Sequence, residues 1–294
     1  EIITSDWSSD VCSSDLQQGR DTLYIPGADH AGFETWVVFE RQLAKEGKSR
    51  FDYTREELYS QVWDFVEKNR GINTVQLKAL GISADWDSLC YTLDKKVINN
   101  VYATFQKMWQ EGLVYRGERI INYCTEHQTG FADIEVEYKD EEGSLWYINY
   151  PIKEKEGKYI QIATTRPETM LGDTAIAINP EDRRFKDLVG LHAVVPIVNR
   201  EVPIIADKYV EKGFGTGAVK ITPAHDPNDF EIGQRHCLEN ITVIGFDGKI
   251  TNTLDEYNGL SVKEARKKII DQLQKDGLLV RTEKINHAVG HCYK

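Results

Sequence analysis

Apolar residues change their period twice along this chain, and any fold must accommodate both changes. Up to about residue 123 they recur at helical spacing. The segment "YTREELYSQVWDFVEKNRG" opens with Thr54 and Glu57 in capping-box spacing. It carries an apolar stripe of Leu58, Val62, Phe65 and Val66 and stops at Gly71. The segment "LDKKVINNVYATFQKMWQEG" repeats the plan. Asp94 is its N-cap, Val97, Val101, Phe105 and Met108 its stripe, and Gly112 its stop. From residue 144 to 246 the period shortens. "SLWYINYPI", "YIQIATT", "TAIAIN", "HAVVPIV", "EVPIIAD", "GAVKIT" and "TVIGF" read as short strands separated by turn residues. A helix then returns in "SVKEARKKIIDQLQKDG". Ser261 and Glu264 form its capping box, Val262, Ala265, Ile269 and Leu273 its buried stripe, and Gly277 its end. Helix, strand, helix in that order predicts a domain inserted into another, with joints near residues 124–134 and 284–294.

Composition narrows the class. The 294 residues suggest one or two domains, and 40% apolar with 28% charged residues is ordinary for a globular protein. No apolar run approaches the roughly 18 residues of a membrane span. The formal net charge of -11 argues against indiscriminate nucleic-acid binding but leaves room for a local basic face. Five cysteines, Cys12, Cys90, Cys124, Cys237 and Cys292, show no disulfide-like spacing and read as reduced thiols of a cytoplasmic protein. The N-terminal "DWSSDVCSSDL" has neither helical nor strand periodicity. It is similar to a translated sequencing-library adapter, so residues 1–16 are set apart from the fold. The chain reads as a fragment cut at both ends.

Four stretches carry chemistry. "PGADHAG" places Asp29 and His30 on a turn whose glycines permit close backbone approach; a turn with a capping Asp is the plain alternative. In "IATTRPETMLGDTAIAINPED", Pro167 drives Arg166 toward an extended conformation and ends regular pairing. Thr164, Thr165, Arg166 and Thr169 therefore cluster where the chain leaves a sheet. If both are in the strand, Thr164 and Thr165 face opposite sides. In "GFGTGAVKITPAHDPNDFEIGQRH", Asp226 and Asp229 stand on a first helical turn. They can face one site, or they can cap that helix. His225 adds a titratable neighbour. Such carboxylates can hold an ammonium group or orient a water. No arrangement of a covalent nucleophile is evident. Finally, "CTEH" pairs Cys124 with His127, and "HCYK" offers His291 and Cys292. Two ligand pairs at the two joints would suit a tetrahedral zinc site, and ordinary cysteines are the alternative.

Taken together, these segments resemble the valyl branch of the class I aminoacyl-tRNA synthetases, over nearly all of residues 23–294. "PGADHAG" looks like the family's "PGTDHAG" segment, and "GISADWD" is similar to its "G-x-S-x-DW" stretch. "RPETMLGDTA" with "KITPAHDPNDFEIGQRH" is specific for the valyl branch, whereas leucyl enzymes usually read "TTRPDT".

The resemblance implies an α/β fold, a partial Rossmann-type catalytic domain interrupted by a β-rich, barrel-like α+β editing domain. Residues 17–133 would belong to the catalytic domain, 134–284 to the editing insertion, and 285–294 to the return. The parent enzyme would activate valine with ATP and Mg2+ and charge tRNA(Val), and the insertion would hydrolyse mischarged Thr-tRNA(Val). The need is physical, because an apolar pocket rejects an isostere that only adds a hydroxyl weakly. By the same resemblance, Asp229 would hold the ammonium or hydroxyl of the misattached threonine. Asp226, Lys220 and Thr222 would line that pocket, Thr164, Thr165, Arg166 and Thr169 would form its other wall, and Phe214 would pack on the terminal adenosine. Asp29, with Pro26, Gly27 and His30, would bind valine in the synthetic site. Cys124, His127 and Cys292 would hold zinc. "KEARKK" would offer a basic helix face to tRNA phosphates, and a solvated charged face is the plain alternative. No "HIGH"-like or "KMSKS"-like motif occurs, so this chain by itself is not expected to aminoacylate. The alternatives are a tRNA-binding module without catalysis, against which half a synthetic site speaks, and a leucyl-type editing domain.

Overall fold

The computed structural model describes residues 14–292 apart from 16, 31 and 214, and all but the side chain of 33. The adapter-like stretch, Cys12 included, and Phe214 lie outside the described residues, residues 14 and 15 excepted. The chain divides into two compact units, Glu1–Arg116 and Gly117–Lys294.

The first unit is mostly helical. A two-residue strand β1 (Gly27–Ala28) is followed by helices α1 (Phe33–Lys45), α2 (Arg55–Asn69) and α3 (Ile72–Ala79). Strand β2 (Cys90–Tyr91) pairs with β1 in parallel, and α4 (Lys95–Gln110) completes the unit. Thr54 and Glu57 form the expected capping box on α2. Phe39 and Leu43 of α1 are buried, and the Phe39 ring lies 5.7 Å from that of Phe65 on the α2 stripe. Two expectations change here. Asp94 stands at the N-cap of α4 without capping it through its side chain. Its carboxylate instead accepts from the Tyr91 backbone at 2.8 Å and from Arg70 at 2.7 Å. The apolar stripe of α4 is also uncovered, with Val101 59% and Phe105 53% exposed.

The second unit opens with a hairpin, β3 (Asn122–Cys124) and β4 (Thr129–Phe131). The division at residue 116 puts this hairpin wholly in the second unit, ahead of the joint expected at 133. Gly248 packs on the hairpin turn: an added Cβ there would lie 3.1 Å from the Thr125 side chain. The remaining strands are β5 (Val136–Pro151), β6 (Tyr159–Thr164), β7 (Ala175–Ile178), β8 (His192–Val195), β9 (Arg200–Ala206) and β10 (Ala218–Ile221). Helices α5 (Pro227–Arg235) and α6 (Val262–Lys275) and the long strand β11 (Leu279–Cys292) close the unit.

These strands make two sheets around one core. One sheet has the order β10-β7-β9-β8 and the other β11-β5-β6. A bridge between Ile152 and Ala193 connects them. Strand β7 is central and buried at every residue, as its unbroken apolar run requires. Its side chains alternate. Ile176 and Ile178 join the main core with Ile148, Tyr150, Ile162 and the Ala265/Ile269/Leu273 stripe of α6. Ala175 and Ala177 pack with Ile221 and with Ile232 of α5 on the other face.

One reading of the strands is corrected. "TVIGF" is not a strand; only a bridge between Ile244 and Ile250 forms there. Residues 285–292 continue β11. That strand pairs antiparallel with β5 from Leu279 opposite Ile148 to Cys292 opposite Val136. The resulting ribbon returns the chain to the turn of the β3–β4 hairpin, where Cys292 meets His127.

Candidate functional site

The two polar stretches singled out in the sequence meet in the second unit. Strand β6 ends at Thr164, and Pro167 starts a 3-10 turn, Pro167–Gly172, whose residues are all buried. Strand β10 ends at Ile221, and "TPAHD" leads into α5. Arg166 donates to the carbonyl of His225 at 2.9 Å, joining the two turns. Lys220 of β10 donates to Thr169 at 2.8 Å, joining them again beneath the surface.

Lys220 is buried with Asp173, and the two form an ion pair at 2.9 Å. The ammonium also donates to the hydroxyls of Thr169 and Thr222. An ammonium has three donors, so Lys220 is fully engaged. Thr222 donates to Asp173 at 2.6 Å, and Tyr150 donates to its other oxygen at 2.8 Å. Burial pushes the Asp173 carboxyl above its ordinary range, against the pull of Lys220, Thr222 and Tyr150. Lys220, Thr222 and Thr169 thus build a satisfied polar floor.

Above this floor sits Asp229, half-buried on the first turn of α5. It accepts from the Thr222 backbone at 2.9 Å. Burial raises its carboxyl to about 7, with Lys220 and the Thr222 amide opposing and Asp226 and Asp173 adding to the rise. Asp226 serves as the helix cap, accepting from the amides of Asn228 at 2.8 Å and Asp229 at 3.1 Å. Of the two readings of this acidic pair, Asp226 therefore takes the cap, and Asp229 is left to the site. His225 is held neutral near pH 7, because burial, then Arg166 and Lys220, lower it to about 4. Its Nε2 accepts from Val243 at 2.9 Å, which places the ring proton on Nδ1.

On the other wall, Thr164 is buried and its hydroxyl accepts from the Arg166 amide at 3.0 Å. Thr165 is half-buried and Arg166 exposed. Glu168 is 1% exposed and takes two hydrogen bonds of 2.8 Å from Arg266 of α6. Asp173, Glu168 and Tyr150 escaped the sequence reading, and Arg266, read within the basic "KEARKK" face, instead binds Glu168. A signal existed for Asp173: a lysine in the buried run "GAVKIT" demands a carboxylate partner. Chemically, the cluster offers one carboxylate poised near neutrality and one exposed guanidinium. No serine or cysteine is hydrogen-bonded into it among the described residues.

The first unit holds the "PGADHAG" group. Asp29 is exposed and accepts from the Thr92 hydroxyl at 2.8 Å. The His30 ring stacks on Trp63 at 6.0 Å and meets the edge of Tyr91 at 5.4 Å. Its Nε2 is buried without a partner. Gly27 lies in β1, and the carbonyl of buried Pro26 accepts from Cys90 at 3.3 Å. "GISADWD" lies alongside, where Asp85 donates its amide to Tyr24 at 2.9 Å.

A metal-ligating group forms where the β5–β11 ribbon meets the hairpin. The donor atoms of Cys124, His127 and Cys292 lie within 4.8 Å of one another. Cys124 Sγ is 3.2 Å and Cys292 Sγ 3.7 Å from His127 Nδ1. Tetrahedral zinc with sulfur and nitrogen ligands needs separations of about 3.5–3.8 Å, close to those seen here, and the group offers three of the four ligands. His291 turns away to Glu141, at 2.8 Å.

The model of the family "tRNA synthetases class I (I, L, M and V)" matches residues 8–275, starting inside the stretch set apart above. A valine–tRNA ligase of Aquifex aeolicus is 48% identical over 94% of this chain and 25% of its own length. One of Carboxydothermus hydrogenoformans is 49% identical over 94% of this chain and 31% of its own. A solved LeuRS–tRNA–LeuAMS complex from Agrobacterium radiobacter aligns loosely, with 18% identity over 93% of this chain and 41% of its own, and a TM-score of 0.39. The chain spans a quarter to a third of the length of the curated relatives it matches. It has the mixed helices and sheets of its family: the chain belongs to the class I tRNA synthetases, and its relatives within that family are valine–tRNA ligases.

Proposed function

We propose that the second unit is the editing part of a valine–tRNA ligase and hydrolyses threonine misattached to tRNA(Val). The observation that carries this is the joining of the threonine-rich turn to the Asp229 turn through Arg166 and Lys220. Asp229, in its ionised form, holds the ammonium or hydroxyl of the threonyl group or takes a proton from the attacking water. Arg166 faces the phosphate-bearing 3′ end. Threonine is selected because valine would leave the polar groups of the pocket without a partner. The floor of Lys220, Asp173, Thr222 and Thr169 keeps Asp229 in place and buried enough to titrate near neutrality. The first unit contributes Asp29 to the amino group of valine in the parent enzyme. ATP and Mg2+ would be held in the parent enzyme by motifs absent from this sequence. Cys124, His127 and Cys292 would hold zinc, which would fasten the ribbon to the hairpin as a structural ion.

The test is deacylation of Thr-tRNA(Val) and Val-tRNA(Val) by the purified chain and by a full-length valine–tRNA ligase carrying the same substitutions. Preferential loss of threonine is expected. Asp229→Asn should slow it about 100-fold or more, the scale of a lost acid–base group. Equal rates for Asp229→Asn and the unsubstituted protein in both settings would refute the assignment.

A further inference from the structure

The polar cluster of the second unit uses most of its side-chain donors internally. Lys220 gives its three protons to Thr169, Asp173 and Thr222. The Thr222 hydroxyl donates to Asp173, and that of Thr169 to the Arg166 carbonyl at 3.0 Å. Ester hydrolysis needs a donor as well as a base, because the carbonyl oxygen takes on negative charge as water adds. Of the cluster's side chains, three kinds of donor remain: the rest of the Arg166 guanidinium, the hydroxyls of Thr164 and Thr165, and the Nδ1–H of His225. A hydroxyl proton turns about its C–O bond and is not aimed beforehand. Arg166 is exposed and already bound in part to the His225 carbonyl.

His225 is fixed at three points. Its amide donates to the Thr222 carbonyl at 3.0 Å, its carbonyl accepts from Arg166 at 2.9 Å, and its Nε2 accepts from the Val243 amide at 2.9 Å. Val243 is fully buried, and its side chain lies against Gly172, where an added Cβ would be 3.2 Å away. The Nε2 edge of the ring therefore points into the protein, and the Nδ1 edge points the other way. The Nδ1–H has no partner among the described residues and is not sealed from solvent. Because the lone pair of Nε2 is taken by the Val243 N–H, this ring can donate a hydrogen bond but has no site left to accept a proton. Burial first, then Arg166 and Lys220, lower its value to about 4. The ring is thus an uncharged donor throughout the range in which Asp229 titrates.

We propose that His225 is a catalytic hydrogen-bond donor, its Nδ1–H meeting the carbonyl oxygen of the threonyl ester as that oxygen becomes an anion. This rests on the editing reading, with Asp229 as the base. A water oxygen adds to the carbonyl carbon, and the water's proton passes to the Asp229 carboxylate. The carbonyl oxygen gains the charge and is held by the His225 N–H, which keeps its proton throughout. When the tetrahedral species collapses, the bond to the ribose oxygen breaks, and that oxygen takes the proton from Asp229. A donor fixed in advance needs no reorganisation as the charge forms.

The experiment replaces His225 by its two partial isosteres, in the whole chain and in a full-length valine–tRNA ligase. An asparagine amide nitrogen overlays imidazole Nδ1, and a glutamine amide overlays Nε2. His225→Asn therefore keeps a donor toward the ester and drops the Val243 bond. His225→Gln keeps a partner for Val243 and drops the donor. For both, kcat and KM of Thr-tRNA(Val) deacylation and the urea midpoint are measured. His225→Gln should lower kcat about 100-fold or more at nearly unchanged KM and midpoint, the scale of one lost oxyanion donor. His225→Asn should be clearly the faster of the two, despite a lower midpoint. In both, the rise of rate toward pH 7 should persist, since it belongs to Asp229. Equal rates in the two variants would overturn the proposal. So would a faster His225→Gln, which would make His225 an anchor for Val243, or loss of the rise toward pH 7 in His225→Gln, which would make the ring the base. If the second unit does not edit, the unsubstituted protein leaves Thr-tRNA(Val) intact in both settings, and the editing reading falls together with this one.

Discussion

Asp229 and His225 are four residues apart and titrate in opposite senses, which makes the site's pH behaviour specific. Asp229 has a folded value of about 7, above its unfolded 3.8. Its protonated form is favoured in the fold, so its contribution to stability is full below the unfolded value. That contribution is lost as pH rises through about 7. His225 has a folded value of about 4, below its unfolded 6.5. Its contribution is present above 6.5 and is lost as pH falls through about 4. Asp229→Asn should therefore stabilise the protein at pH 8, by at most about 4 kcal/mol, with the gain vanishing toward pH 4. Urea titrations of both proteins at pH 4, 6 and 8 check this; a gain independent of pH would contradict it. Activity runs the other way. The proposed deacylation uses ionised Asp229, so its rate should rise up to about pH 7 and then level. Lys220 tests the floor. Lys220→Met leaves Asp173 buried without its cation and should cost about 3–5 kcal/mol, and adding Asp173→Leu should restore much of that. Failure of the double variant to recover would mean the pair does not act as a unit. The polar residues at strand ends could be read because Pro167 and the turn before α5 mark where the backbone leaves the sheets. Asp173 could not be assigned a role, because its partner Lys220 lies far along the chain and only folding brings them together.

At the scale of elements, the capping boxes and the α6 stripe were legible and the long strand β11 was not. Ser261, Glu264 and the Ala265/Ile269/Leu273 stripe behave on α6 as their spacing requires. Strand β11 carries alternating polar residues such as Arg281, Glu283 and His287, and much of it is exposed. It is held by its backbone ladder to β5 rather than by an apolar face, so hydropathy is silent about it. "TVIGF" shows the converse, an apolar run with strand character that finds only one bridge. The ribbon makes the zinc reading testable as an element-level effect. Added zinc should raise the melting temperature of the chain, and Cys124→Ser or Cys292→Ser should abolish that rise. A rise that survives both substitutions would place the ion elsewhere. Gly172 ends the buried 3-10 turn that carries Glu168 and Thr169. A Cβ there would lie 2.8 Å from the Ile241 carbonyl oxygen, a backbone atom with little room to yield. Gly172→Ala should cost about 1–3 kcal/mol and slow deacylation by displacing the turn, measured as urea midpoint and rate.

At the scale of the whole molecule, the two units are unequally covered. The second contains the main core, with Tyr150, Ile148, Ile176 and Leu273 among its fully buried side chains. The first buries Phe39 and Leu43, but no residue of α2, α3 or α4 is buried. Helix α4 presents Val101, Phe105, Met108 and Trp109 to solvent, a stripe whose helical spacing is that of a face packed in a core. This chain spans about a third or less of its relatives' length. In isolation the first unit then lacks much of the apolar burial that offsets its conformational entropy. Unfolding by urea should proceed in two steps, the first unit before the second. Limited proteolysis should cut among residues 33–116 while a fragment close to 117–292 persists. That surviving fragment should keep its threonyl-tRNA hydrolysis, since every group of the proposed site lies within it. Loss of both units in one transition, with no resistant fragment, would show that the second unit depends on the first and that hydrolysis cannot be assigned to it alone.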